Sequence, residues 1–415
     1  MAVERASTAI AVATLASDAD RASAAGVSSG RYLSELESLR GLAILLVFWF
    51  HVEGILFIPR ARPDTVDLPF QSLIRAGHTG VSLFFVLSAF LLSLPFLQEP
   101  RGGPYLSLTH YARRRALRIL PLYWTAVIVG ALLTAAGVHA VPPGQPVADL
   151  WNAVPHLLFF SGFVGWAEQM RPYSDVWWSL VTEVQFYLLL PLLPLCRRWR
   201  WGGYLGVALL LGYAVIYGLL QAHVIRAQTL GGQHYLANSI LARGPQFLIG
   251  GLAAWVYLRL RRRPSRPAPL WWRRGGADLA LLATLFAQAL LLQWVMAGGL
   301  LHFITVPYQS WHTLEALLWA IVVLLVLTAP LLTRRLWDNP VLERMGLYSY
   351  SIYMWHMPLA WFGILAIRRW VRAPAGWNAI TLLEGLATLV VCVGLSALTY
   401  HYIERPFLRR KARLR

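Results

Sequence analysis

Residues 41–58, GLAILLVFWFHVEGILFI, form an apolar run of membrane-spanning length that contains one imidazole, His51, and one carboxylate, Glu53. A bilayer core of about 30 Å takes roughly 20 apolar residues at 1.5 Å per residue. A lone run of this length suits a buried core helix as well as a span, so its setting decides. Working outward, nine further runs have similar length and similar charged, Pro or Gly borders: 78–97, 119–138, 177–196, 204–222, 240–258, 278–297, 311–331, 346–366 and 379–401. The sequence therefore predicts an all-α polytopic integral membrane bundle of about ten transmembrane helices.

Composition agrees. The chain is 57% hydrophobic and 13% charged, too apolar for a water-soluble domain of 415 residues. Its 19 Trp and 17 Tyr suit interfacial belts as well as packing. A formal charge of +18 raises nucleic acid as a partner, but the basic residues lie in short clusters between apolar runs rather than on one soluble face. They fit topology better. With ten spans and both termini cytoplasmic, the inward segments hold 27 Lys and Arg and the outward segments 8, with Arg40 and Arg243 at helix ends. Counting 152–167 as an eleventh span would throw the clusters RLRRRPSR and RRKARLR outside, so that segment is expected not to cross, and to be interfacial or re-entrant.

Residues 1–30, rich in Ala and Ser, are expected to form a disordered tail, and 409–415 a basic one. Cys196 and Cys392 offer neither a disulfide framework nor metal-ligand spacing, and no metal is expected. The near-total use of Arg over Lys, with Lys411 the one lysine, suggests a bacterial source, hence a bacterial inner membrane.

Ionisable residues inside spans are costly and point to function when they face the bundle interior. Counting along the helices, His51 and His356 fall near the midplane and Glu183 roughly 9 Å below the outer boundary. An imidazole beside a carboxylate is the pairing that general-base chemistry uses. The same three residues also suit plain interhelical hydrogen bonding, and spacing leaves both readings open. Arg40 precedes His51 by three helical turns on one face, with Glu37 three residues earlier as its local ion-pair partner. Arg113, Arg114, Arg115 and Arg118 crowd the start of the third span. Guanidinium groups there suit a polyanionic phosphate ligand, and suit topology or anionic lipid equally. Glu53 points to another face and is expected to be a helix-end or outer-loop group without a role.

Six stretches in order, LESLRGLAILLVFWFH, GVSLFFVLSAFLL, RRALRILPLYW, WWSLVTEVQFYLLLPLL, GLYSYSIYMWHMPL and YIERPF, resemble the membrane-bound acyltransferase-3 family from about Tyr32 to Phe407. The resemblance implies one acyltransferase domain over 31–408 that moves an acyl group, acetyl by family analogy, from cytoplasmic acyl-CoA to a hydroxyl beyond the membrane. The acceptor would be a polysaccharide, glycolipid or glycosylated small molecule. It also implies roles: His51 and Glu183 catalytic, Arg40, Arg114, Arg115 and Arg118 for CoA, with Glu37, Ser88, Tyr350, Ser351, Tyr353, His356 and Glu404 as further candidates. Two positions depart from the family pattern, Ala89 where Gly is usual and Glu37 where Asp is common. Some relatives carry a fused extracytoplasmic domain; this sequence runs eight residues past Phe407, and none is expected. The competing class is a transporter, or an acyl-CoA- or lipid-binding membrane protein, in which the same His and Glu relay protons.

Overall fold

The computed structural model describes residues 33–57, 75–98, 107–140, 147, 151, 153–159, 170–193, 201–227, 238–262, 267–297, 310–371 and 378–412. The expected tail 1–30, the end of the basic tail, Cys196 and residues 160–167 lie outside them.

Among the described residues the structure is helical throughout, without strands. Its elements are α1 (Ser34–Phe57), α2 (Thr79–Gln98), α3 (Leu108–Ala135), α4 (Ala153–Leu157), α5 (Trp178–Leu189), α6 (Gly202–Ala227), α7 (Ile240–Arg262), α8 (Ala277–Ala297), α9 (Ser310–Thr328), α10 (Arg334–Trp337), α11 (Pro340–Leu347), α12 (Ser349–Arg368), α13 (Ala379–Thr399) and α14 (Arg405–Ala412). Helices satisfy every backbone group internally, which a lipid environment demands. Polar caps start the later ones. Asn378 Oδ1 accepts from the Ile380 and Thr381 amides while Thr381 Oγ1 accepts from Asn378 N, and Asn339 caps α11 ahead of Pro340.

Ten helices coincide with the ten expected runs, and seven are by themselves long and apolar enough to cross a bilayer. The other three have identifiable polar or short segments: α5 has 12 residues, α7 carries Arg243 and a basic last turn, and α12 holds Ser, Tyr and His. The chain is a multi-pass membrane protein. Of the segment expected not to cross, the described part is α4, five residues whose backbone carbonyls are held by Tyr123 and Trp124 of α3.

Helix α2 occupies the centre, packed by α1, α7 and α9. Phe84 on α2 joins two apolar clusters, one built by α1, α3, α5 and α12, the other by α7, α8 and α9. Small residues permit close approach. A Cβ on Gly41 would overlap the Leu342 carbonyl, and one on Gly346 the Glu37 carbonyl, so α1 and α11 meet backbone to backbone. Gly250 of α7 does the same against Val86 and Ala89, so the methyl that this chain carries at 89 is accommodated by a glycine opposite. By contrast, α6 leaves most of its described side chains, Leu209, Leu210 and Leu211 among them, exposed on an outward apolar face.

The interior also holds a polar network that the spacing of residues did not announce. Buried Arg243 meets His312 Nε2 at 2.6 Å, and His312 Nδ1 meets Glu315 at 2.7 Å. Glu315 also accepts from Ser82, which accepts from Gln246. Arg243, expected at a helix end, is 6% exposed and lies over the Trp178 ring. Glu53 corrects the sequence reading too: it is buried, and Arg75 Nε donates to it at 2.9 Å. A carboxylate that deep requires a cation, and one from the α2 side supplies it.

If α1 and α11 depend on bare backbone contact, Gly346→Val should cost about 1–3 kcal/mol or more through overpacking. Gly212→Val on α6, where a side chain meets open space, should be near neutral. Thermal unfolding of the detergent-solubilised variants reads this, and equal midpoints would contradict it.

Candidate active site

The end of the bundle where α1, α3 and α12 begin and α2 finishes, termed the first end, contains a cavity of about 310 Å³. That is the scale of a small-molecule site. Arg40, Arg114, Arg115 and Arg118 line it, as do Glu37, Ser88, Glu183, Tyr350 and Tyr353. Helix α3 begins about three turns before the expected span, which puts its arginines on a rigid helix. Three of them fall within five positions and reach one face; Arg113, between turns, is exposed instead. The opposite wall is apolar, formed by Phe84, Leu87, Leu91 and Phe96 of α2.

The cations at the mouth are fixed one by one. Arg40 donates to Glu37 at 3.0 Å and to Ser349 Oγ at 3.1 Å, which ties α1 to the start of α12. Arg118 pairs with Glu404 at 3.3 Å; Glu404 also accepts from Ser351 at 2.5 Å, and Thr399 donates to Ser351. Arg115 lies over the rings of Tyr111 and Tyr187. Deeper, Ser88 Oγ donates to the Glu183 carboxylate across α2 and α5. Tyr350 donates to Ile119 O at 2.8 Å, and Tyr353 shares a short hydrogen bond with Ser179 while reaching Val176 O. The two tyrosines thus pin α12 to α3 and to the start of α5.

His51 is outside this lining. It sits seventeen residues along α1, about 25 Å from the first end and about 9 Å from the other. The pairing with Glu183 expected from the sequence is not formed, because Glu183 bonds Ser88 a layer below. His51 faces His356 instead: His356 Nε2 lies 3.2 Å from His51 Nδ1, with ring centroids 4.9 Å apart. His356, fully buried, has its Nδ1 2.8 Å from Tyr353 O, and His51 Nδ1 is also 2.9 Å from Val47 O. This network assigns the tautomers. Carbonyl oxygens only accept, so His356 carries its proton on Nδ1 and offers a lone pair at Nε2. His51 Nδ1–H donates to that lone pair and to Val47 O, leaving its Nε2 unprotonated on a half-buried side chain. The connection to the cavity runs through Tyr353, which lines it and whose ring is 5.5 Å from that of His356.

The cavity thus gathers the four arginines, Glu37, Ser88, Glu183, Tyr350 and Tyr353, whereas His51, His356, Ser351 and Glu404 are not part of its lining. Among the described residues no group of His, Cys, Asp and Glu has the arrangement of a metal site.

Removing the buried Glu404 carboxylate leaves the partly exposed Arg118 without its counter-charge and its charged hydrogen bond, so Glu404→Ala should destabilise by about 1.5–3 kcal/mol. Ser351→Ala removes one hydrogen bond and should cost about 1 kcal/mol. A thermal shift no larger for the first than for the second would contradict the ion pair as the anchor.

Residues 33–401 match the family profile described as an acyltransferase domain, nearly the full described chain. Similar proteins include the peptidoglycan O-acetyltransferase OatA of Listeria monocytogenes, 22% identical over 91% of this chain and 56% of its own length. Nodulation protein 10 of Rhizobium leguminosarum is 28% identical over 81% of this chain and 83% of its own length. The putative membrane-bound transacylase BcsY of Komagataeibacter xylinus is 26% identical over 90% and 82% respectively. The chain thus spans little more than half of the Listeria relative. No solved structure matches it significantly. By its fold, its ordered motifs and this near-complete match, the chain belongs to the acyltransferase-3 family.

Proposed function

We propose that the protein transfers an acyl group, acetyl by analogy with its relatives, from acyl-CoA bound at the first end to a hydroxyl of a carbohydrate-containing acceptor approaching from the other. The names of its relatives, acting on peptidoglycan or as membrane-bound transacylases, support a glycan or glycolipid acceptor at the cell envelope. The first end is then the cytoplasmic face of a bacterial inner membrane, in keeping with the concentration of Arg there. The observation that carries the reading is the cavity: guanidinium groups at its mouth, apolar walls, and an inner wall whose Tyr353 touches the histidine pair.

The chemistry follows from the groups. Phosphates dock on Arg114, Arg115 and Arg118, where delocalised, permanently charged forks suit them, with Arg40 beside the entrance. The pantetheine arm lies along the α2 wall, where the Glu183 carboxylate braced by Ser88 accepts from its amide N–H groups. The thioester then points toward His51. His51 Nε2 takes the proton of the acceptor hydroxyl as the oxygen attacks the thioester carbonyl, forming a C–O bond. The C–S bond breaks, and the imidazolium returns the proton to the leaving thiolate, so no proton is gained or lost. His356 keeps Nε2 of His51 as the basic nitrogen and accepts from the imidazolium through Nδ1–H. It acts as a positioning residue, the part that sequence reasoning assigns to Glu183.

With labelled acetyl-CoA and purified protein, His51→Ala should lose about 10²- to 10⁴-fold in turnover, the typical contribution of a general base. His356→Ala should lose less, about tenfold, and should change the pH profile of kcat while leaving KM for acetyl-CoA unchanged. Full transfer by His51→Ala would remove the imidazole from the reaction, and an intact thioester with wild-type protein and acceptor would favour transport over catalysis.

A further inference from the structure

The cavity has a fifth cation that no motif supplied. Helix α14 begins after a π-turn at Tyr400–Glu404, where Pro406 is unable to donate to the preceding turn. The turn sets the register of α14. Glu404, Leu408 and Lys411, at i, i+4 and i+7, lie on one face. Glu404 is 3% exposed and held by Arg118, Leu408 is 6% exposed, and Lys411 is half-buried. Their neighbours turn away: Arg409 and Arg410 are exposed, and Arg410 lies over the Phe407 ring. Leu408 and Lys411 both line the cavity beside Arg114, Arg115 and Arg118.

Counter-charge is uneven there. Arg40 has Glu37 and Arg118 has Glu404, but among the described residues no carboxylate lies within ion-pair distance of Arg115 or Lys411. Two cations gathered in a partly desolvated pocket repel each other and lose hydration, a cost that a multiply charged anion offsets. An ammonium on a flexible stem, beside a row of forked guanidinium groups, is an arrangement suited to phosphate recognition.

We infer that Lys411 is a phosphate ligand of the donor site, and that α14 forms the part of its wall that packs beside α3. The inference rests on the reading of the cavity as the acyl-CoA site. Lys411 takes up phosphate together with Arg114 and Arg115, and Glu404 keeps α14 docked by holding Arg118.

The test is calorimetric titration of CoA, and of pantetheine, which has no phosphate, into full-length protein in nanodiscs of phosphatidylcholine. Lys411→Gln should weaken CoA binding about tenfold, the scale of one charge-assisted hydrogen bond. Lys411→Arg should recover most of that loss, Arg410→Gln should stay within about twofold, and pantetheine should bind all variants alike. Unchanged CoA affinity in Lys411→Gln would overturn the inference, as would an equal loss for pantetheine, which would make the effect structural. A loss confined to discs containing phosphatidylglycerol would assign the amine to a lipid headgroup and overturn it as well. Wild-type protein that binds no CoA would defeat the donor reading itself, and this inference with it; intact wild-type binding with an indifferent Lys411→Gln defeats the inference alone.

Discussion

A carboxylate buried between membrane helices needs a cation, and the meeting of Glu404 with Arg118 is the contact on which the site depends. It joins residues 286 positions apart, ties α3 to the end of α13, and through Ser351 takes in α12. Because Arg114 and Arg115 ride on the same helix as Arg118, fixing one orients all three. Placing α14 is a second consequence of the same pair, since Glu404 stands at the turn from which that helix starts. The bare backbone contact of α1 with α11 completes the mouth by holding Glu37 and Arg40 in place.

Above the mouth the polar groups are layered. Ser88 with Glu183 forms one level, Tyr353 with Ser179 the next, and His356 with His51 the third. Each level bridges different helices. Two backbone carbonyls set the polarity of the histidine pair, and with it the nitrogen of His51 that can accept a proton. Phe84 also packs at the level of Tyr353, 6.4 Å between ring centroids, and helps separate the cavity from the imidazoles.

Much of this was legible in the sequence, and the limits are physical. Apolar runs located ten helices because lipid imposes length and composition locally. The family resemblance named Arg40, Arg114, Arg115 and Arg118; the last three fall within five positions of α3, and all four line one cavity. Pairing across the bundle was not legible. His51 and His356 are 305 residues apart, and only the relative rotation of α1 and α12 decides that they meet while Glu183 turns to Ser88. Arg243 was similarly hidden, alone in its apolar run and matched only by packing to His312 and Glu315, which share another. The short helices α10, α11 and α14 carry too few apolar residues to register as spans, so the wall that brings Lys411 to the cavity went unseen. Glu53 reads as roleless in sequence because its partner, Arg75, precedes the next span.

The proposed transfer across the bundle is tested most directly by a cryo-electron microscopy structure with a non-hydrolysable thioether analogue of acetyl-CoA. Its phosphates are expected against Arg114, Arg115 and Arg118, its pantetheine arm along α2 past Glu183, and its acyl carbon positioned so that a hydroxyl on His51 Nε2 lies roughly 3–3.5 Å away. An analogue bound elsewhere, or one whose acyl group stops below Tyr353 with that residue still closed over the histidine pair, would contradict this mechanism.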